Sequence, residues 1–124
     1  MSKISIRLKR VYEPADESDG LRILVDRMWP RGMKKSSFEY DIWAKEVTPS
    51  LGLRRFFHVN PKDNWEEFAR RYDEELAENE ALDKLADEIR QTGATTVTLL
   101  YGFRDPVKNH AVVLRNALMK KLEL

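Results

Sequence analysis

The stretch Thr95-Thr96-Val97-Thr98-Leu99-Leu100-Tyr101 decides how this chain folds. It is short, rich in β-branched and apolar residues, and bracketed by Gly93 and Gly102. A run of that kind reads as a strand covered on both faces, the situation of a parallel sheet. Two earlier segments share the sheet. Ile4, Ile6 and Leu8 alternate with Ser5, Arg7 and Lys9, the period of a half-buried strand over Lys3 to Arg10. Leu21 to Val25 is more continuously apolar and ends at Asp26.

Helical sequence fills the intervals. Trp65, Phe68, Tyr72 and Leu76 fall at steps of three and four, behind Asn64 and Glu67 at capping-box spacing. Leu82, Leu85 and Ile89 continue that period after Asn79 until Gly93, placed as a C-terminal cap. Ser36 and Glu39 repeat the capping-box spacing and predict a short helix carrying Phe38, Ile42 and Trp43. Thr48 and Pro49 predict the cap and first residue of another, with Leu51, Leu53, Phe56 and Phe57 on its apolar side. Asp105 and Pro106 predict the start of a last helix, with Val107, Ala111, Leu114, Leu118 and Leu122 on one face to the C-terminus. The expected fold is a single α/β domain with a small, largely parallel sheet of about three strands flanked by five or so helices.

Composition narrows the chemistry. The 124 residues include no cysteine and two histidines, which excludes disulfides, thiolate metal sites, cysteine nucleophiles and a three-histidine metal centre within one chain. No metal is expected. The glycines are too scattered for a Walker A loop or a dinucleotide fingerprint, so no cofactor is expected either. Met1 to Arg10 has the pattern of neither a signal peptide nor a membrane span, and a cytoplasmic protein is expected. Charge is unevenly placed: residues 1–60 hold 12 Lys and Arg against 8 acids, whereas residues 63–90 hold 11 acids against 4 bases. The acidic block reads as a solvated helical face, and the milder basic excess suits an anionic small molecule better than a nucleic-acid duplex.

The densest chemistry follows the second strand, at Val25-Asp26-Arg27-Met28-Trp29-Pro30-Arg31-Gly32. Pro30 and Gly32 oppose a helix there, so the run is a loop. In open α/β sheets ligands bind beyond the carboxyl ends of the strands. That rule brings this loop together with the one from Tyr101 to His110. Arg27 and Arg31 offer planar forks for carboxylate or phosphate, Trp29 a stacking surface, and Arg54, Tyr101 and Asn109 further ligand contacts. Asp26 and His110 are the candidates for proton transfer. A purely structural reading stands beside this one: Asp26 pairs with an arginine to close the loop, Trp29 plugs the core edge, and His110 is a satisfied core histidine. His58 reads as a structural residue or a favourable cation at a helix C-terminus, and Ser50 as a capping residue. Trp29 or the final helix is also placed to serve a homodimer.

VDRMWPRG, WAKEVTPSLGLRRFFH, FARRYDEEL from Phe68 and VTLLYGFRDPVKNHAVVL together resemble the YeaO-like proteins of domain-of-unknown-function family 488 over nearly the whole chain. The resemblance implies a small prokaryotic cytosolic α/β protein and carries no established activity. It points to Asp26, Arg27, Trp29, Pro30, Arg31, Lys45, Pro49, Ser50, Arg54, Tyr72, Asn109 and His110. Phe103 and Arg104 are bulkier than the small residues it leads one to expect in that loop. The functional readings are therefore an enzyme or former enzyme acting on a small anionic ligand, phosphate- or nucleotide-like, and a non-catalytic module using the same basic rim.

Overall fold

The computed structural model describes residues 3–123, so Leu124, the last residue of the expected final helix, lies outside the described residues. In chain order, strands β1 (Ser5–Arg10), β2 (Leu21–Leu24) and β3 (Ile42–Trp43) are followed by helices α1 (Leu51–Val59), α2 (Pro61–Glu78) and α3 (Glu80–Thr92), then by strand β4 (Thr96–Tyr101) and helix α4 (His110–Glu123). The strands form one sheet in the order β1-β4-β2-β3, and every pairing is parallel. The stretch around Thr98 is thus an inner strand, paired on both sides. The α/β class holds, with a fourth strand added and four α-helices among the described residues. None of those helices is long and apolar enough to cross a membrane.

The expected helix over Ser36 to Trp43 does not form. Its second half is strand β3 at the sheet edge, where the Asp41 N–H donates to Arg22 O at 2.8 Å and the Ala44 N–H to Leu24 O at 2.9 Å. A helix this short gains little from its own hydrogen bonds, and the sheet edge offers better ones. Three helix starts also move. Ser50, not Thr48, caps α1 by accepting from the Leu53 N–H. Asn60 caps α2 with Pro61 in its first turn, which leaves Asn64 inside the helix to donate to Phe56 O. Asn109 caps α4 through the Val112 N–H, four residues beyond Asp105.

The two faces of the sheet are covered differently. Ile23, Val25, Val97, Leu99 and Tyr101 pack under the helices, against Phe68, Tyr72, Leu76, Ile89 and Leu114. On the other face Val11, Leu24 and Leu100 lie under Phe38, with Trp29, Met33 and Trp43 beside them, so the segment between β2 and β3 serves as that layer.

Toward the amino ends of the strands this second face holds ions instead. The Asp19 side chain is 5% exposed. It accepts from Lys9 Nζ at 2.9 Å, from Arg22 Nη1 at 2.5 Å and from the Asp16 N–H at 3.0 Å. Thr98 Oγ1 donates to the Asp19 carbonyl at 2.6 Å. Gly20, at φ 64°, completes the turn: a Cβ there would sit 2.2 Å from Thr96 O. Burial alone would raise the Asp19 pKa, but the hydrogen bonds from Lys9, Asp16 and Arg22 outweigh it and hold the carboxyl below its ordinary value.

Removing one partner from a buried pair strands the others, so Asp19→Asn is expected to cost about 3–5 kcal/mol in urea unfolding at pH 7. Because the folded pKa is depressed, Asp19's contribution is present in full above the unfolded value of about 3.9 and fades as pH falls through the folded one. Unfolding between about pH 2 and 5 should therefore be less pH-dependent in Asp19→Asn than in the parent. An unchanged acid limb would show that the carboxylate contributes nothing.

Candidate functional site

Parallel strands deliver their carboxyl ends to one rim, where the segments after β1, β2, β3 and β4 meet. A cleft of about 1190 Å³ opens there. Asp26, two residues past the end of β2, fastens two of these segments together. Its Oδ2 accepts from the Gly102 N–H at 2.8 Å, and its backbone carbonyl accepts from Trp43 Nε1 at 2.7 Å. A Cβ on residue 102 would lie 2.8 Å from that same Oδ2 and would push the carboxylate aside.

His110 Nε2 stands 2.9 Å from Val25 O and 2.9 Å from Asp26 Oδ1. Both neighbours are acceptors, so Nε2 carries the proton and Nδ1 is the nitrogen left for other partners. The hydrogen bond goes to the Val25 carbonyl, and Asp26 Oδ1 is buried without one of its own.

The lining of the cleft is strongly basic. Arg10, Arg27, Arg31, Arg54, Lys62, Arg104 and Lys108 face two carboxylates, Asp26 and Asp105. Among the described residues none of these seven bases enters an ion pair. Arg10 Nη2 donates to Gly102 O at 2.8 Å, its guanidinium lies 5.0 Å from the Tyr12 ring centroid, and its buried Nε has no partner. Asp105 accepts from the Val107 and Lys108 N–H groups, and those bonds lower its pKa. Both acids are thereby committed to the protein, whereas among the guanidiniums Arg10 and Arg27 donate only to backbone oxygens, those of Gly102 and Pro49.

Residues 5–124 match the family described as the inactive DUF488-N3 subclade. The chain belongs to that family. It is 47% identical over 116 residues to the uncharacterized protein YeaO of Escherichia coli (strain K12), spanning 93% of this chain and 97% of that protein. It is 42% identical over 113 residues to an uncharacterized protein of Mycobacterium bovis, spanning 91% and 92%. No solved structure matches it.

In this DUF488 chain Asp26, Arg27, Trp29, Arg31, Arg54 and His110 all line the one cleft. Asp26 pairs with His110 and a backbone N–H rather than with an arginine, so the loop is closed without using up a guanidinium. Trp29 is held by its own indole N–H on Met33 O at 2.7 Å and lies edge-on to Phe38, Tyr40 and Trp43. Tyr101 and Asn109 are not in the lining. Tyr101 is a core residue, and the fully buried Asn109 spends its amide on Asp105 O and the start of α4. Ser50 is bound by Glu75 as well as capping α1. Among the described residues no three metal-ligating side chains gather.

His58 belongs to the cleft and is not a helix-end cation. Partial burial, followed by the charges of Arg54 and His110, lowers its pKa, and only Asp26 opposes them. It is therefore neutral near pH 7. A signal for it existed in the sequence: Arg54, Phe57 and His58 share one face of α1 at the spacings i, i+3 and i+4, and all three line the cleft.

An NMR titration should place the His58 pKa below the ordinary value of about 6.5 and show that Arg54→Ala raises it. A His58 pKa at or above that value would remove it from the cationic field of the cleft.

Proposed function

We propose that the cleft binds a small anionic ligand, phosphate- or nucleotide-like, and that the protein is a former enzyme retaining binding at the strand rim. The observation that carries this reading is the convergence of seven bases, none in an ion pair, on one cleft. Like charges gathered without counter-ions repel, and holding them together is a standing cost that an anion offsets. Arg27, Arg31 and Arg54 are the proposed anchors, since a guanidinium can meet an oxyanion with two parallel hydrogen bonds. The family's description as inactive supports binding without turnover. Its bacterial relatives fit a cytoplasmic setting.

Asp26 and His110 are, in this reading, what remains of a proton-transfer pair. Retained catalysis is a second reading, favoured by the tautomer of His110: with Nε2–H turned to Val25 and Asp26, the free Nδ1 is a base. Asp26 would orient that imidazole rather than move a proton itself.

Thermal unfolding with sulfate, phosphate and nucleoside phosphates, each against chloride at matched ionic strength, tests the binding. At about 100-fold excess over Kd a ligand stabilises by about 2.7 kcal/mol, a Tm rise on the order of 10 °C for a domain of this size. Arg31→Ala and Arg54→Ala should lose most of that rise and His110→Ala should keep it. If no anion outperforms chloride on the parent protein, the reading fails.

A further inference from the structure

The cationic side chains account for only part of the cleft. Phe103, the second residue after β4, lines it with its ring centroid 5.1 Å from that of Phe57 and 5.8 Å from that of His58. Phe57 is in turn stacked on Phe68 at 4.4 Å. The partly exposed Phe103 ring is thus the front of an aromatic wall anchored in the core. Two more large apolar side chains line the same cleft while open to solvent, Met28 at 59% exposure and Val107 at 68%.

A bare oxyanion uses none of this surface. The volume, about 1190 Å³, is also far beyond what one phosphate group fills and matches sites for ligands of drug size or larger. Apolar surface placed among unpaired guanidiniums suits a ligand with two unlike ends.

Resting on the anion-binding reading above, we infer that the ligand is an aromatic phosphate monoester, with its phosphoryl oxygens on the guanidiniums and its ring against the Phe103–Phe57 wall. The wall favours a ring over an aliphatic chain. Phe103 stands at 52° to Phe57 and 74° to His58, tilted arrangements in which aromatic groups meet edge to face, and another ring can join them the same way. The Met28 thioether adds a polarizable partner for a ring, and guanidinium planes stack on aromatic faces.

Isothermal titration at pH 8 with inorganic phosphate, phenyl phosphate and cyclohexyl phosphate tests the inference on the whole chain. The parent protein should bind phenyl phosphate about tenfold more tightly than inorganic phosphate, the scale of one good aromatic contact, and more tightly than cyclohexyl phosphate. Phe103→Ala should erase the phenyl advantage and leave inorganic phosphate binding in place, which also shows that the variant is folded. Phe103→Leu, which keeps apolar bulk without the ring, should erase the preference for phenyl over cyclohexyl. Equal affinity for phenyl and inorganic phosphate overturns the aromatic inference and leaves anion binding standing. A phenyl advantage that survives in Phe103→Ala overturns it too, as does cyclohexyl phosphate binding as tightly as phenyl. If none of the three binds, the anion reading itself fails.

Discussion

The rim depends on one carboxylate. Adjacent parallel strands β2 and β4 end side by side, and their hydrogen-bonded ladder runs one step further, to the Val25 N–H on Leu100 O. Beyond that step the backbone has no regular partner, and the two segments would be free to separate. Asp26 prevents this by accepting the Gly102 N–H while its Oδ1 stands against His110 Nε2, so one short side chain spans the end of β2, the end of β4 and the first residue of α4. The carboxylate is the substitute for the missing ladder. Gly102 leaves it room to approach, and the bond couples two residues 76 positions apart.

That fastening is reinforced by packing along the loop that follows Asp26. The segment holding Arg27 and Arg31 also covers the second face of the sheet, with Trp29 packed among Phe38, Tyr40 and Trp43 above Leu24 and Leu100. Burying such aromatic surface contributes several kcal/mol, more than any exposed hydrogen bond in the loop. The guanidiniums therefore sit on a backbone positioned by core packing. The Tyr12 hydroxyl on Arg31 O and Arg27 Nε on Pro49 O bind the same segment to its neighbours after β1 and β3. Trp29 both lines the cleft and packs against Phe38, Tyr40 and Trp43.

Much of this was legible from residue order alone, and the failures have one cause. The alternation in β1, the apolar run in β4 and the heptad-like spacing in α2 and α3 all report burial, and burial is what periodicity measures. Asp26 and Arg31 were legible because a strand end followed by proline and glycine must be a rim loop. What could not be read was competition between local signals. Ser36 with Glu39 is a sound capping box, but only pairing with β2, remote in sequence, decides that Ile42 and Trp43 extend as a strand. Asp105-Pro106 is a sound helix start, but Asn109 is buried where it can cap, and Asp105 is left to hold the turn before it. Both Tyr101 and Asn109 look functional by position and are structural by burial. His58 was missed because its chemistry comes from Arg54, His110 and Asp26, of which only Arg54 is its neighbour on the helix.

Charge pairing separates the surface into two regimes that the net charge of +1 conceals. On α2, Arg70 and Arg71 pair with Glu67, and Arg70 also with Glu74, all at least a third exposed. Such pairs contribute little to stability, which is why an acidic helical face needs no further explanation. Under the second face of the sheet the opposite holds, with Asp19 almost completely buried and matched by two cations. The cleft follows neither pattern. Its bases are gathered, partly desolvated in places such as Arg10, and without carboxylate partners, although the chain has acids to spare a few turns away. Stability alone would pair them or spread them apart. Seven bases gathered at one strand rim with only two acids among them repel one another, and the positive field they sum to is set on a rim whose backbone Asp26 fastens.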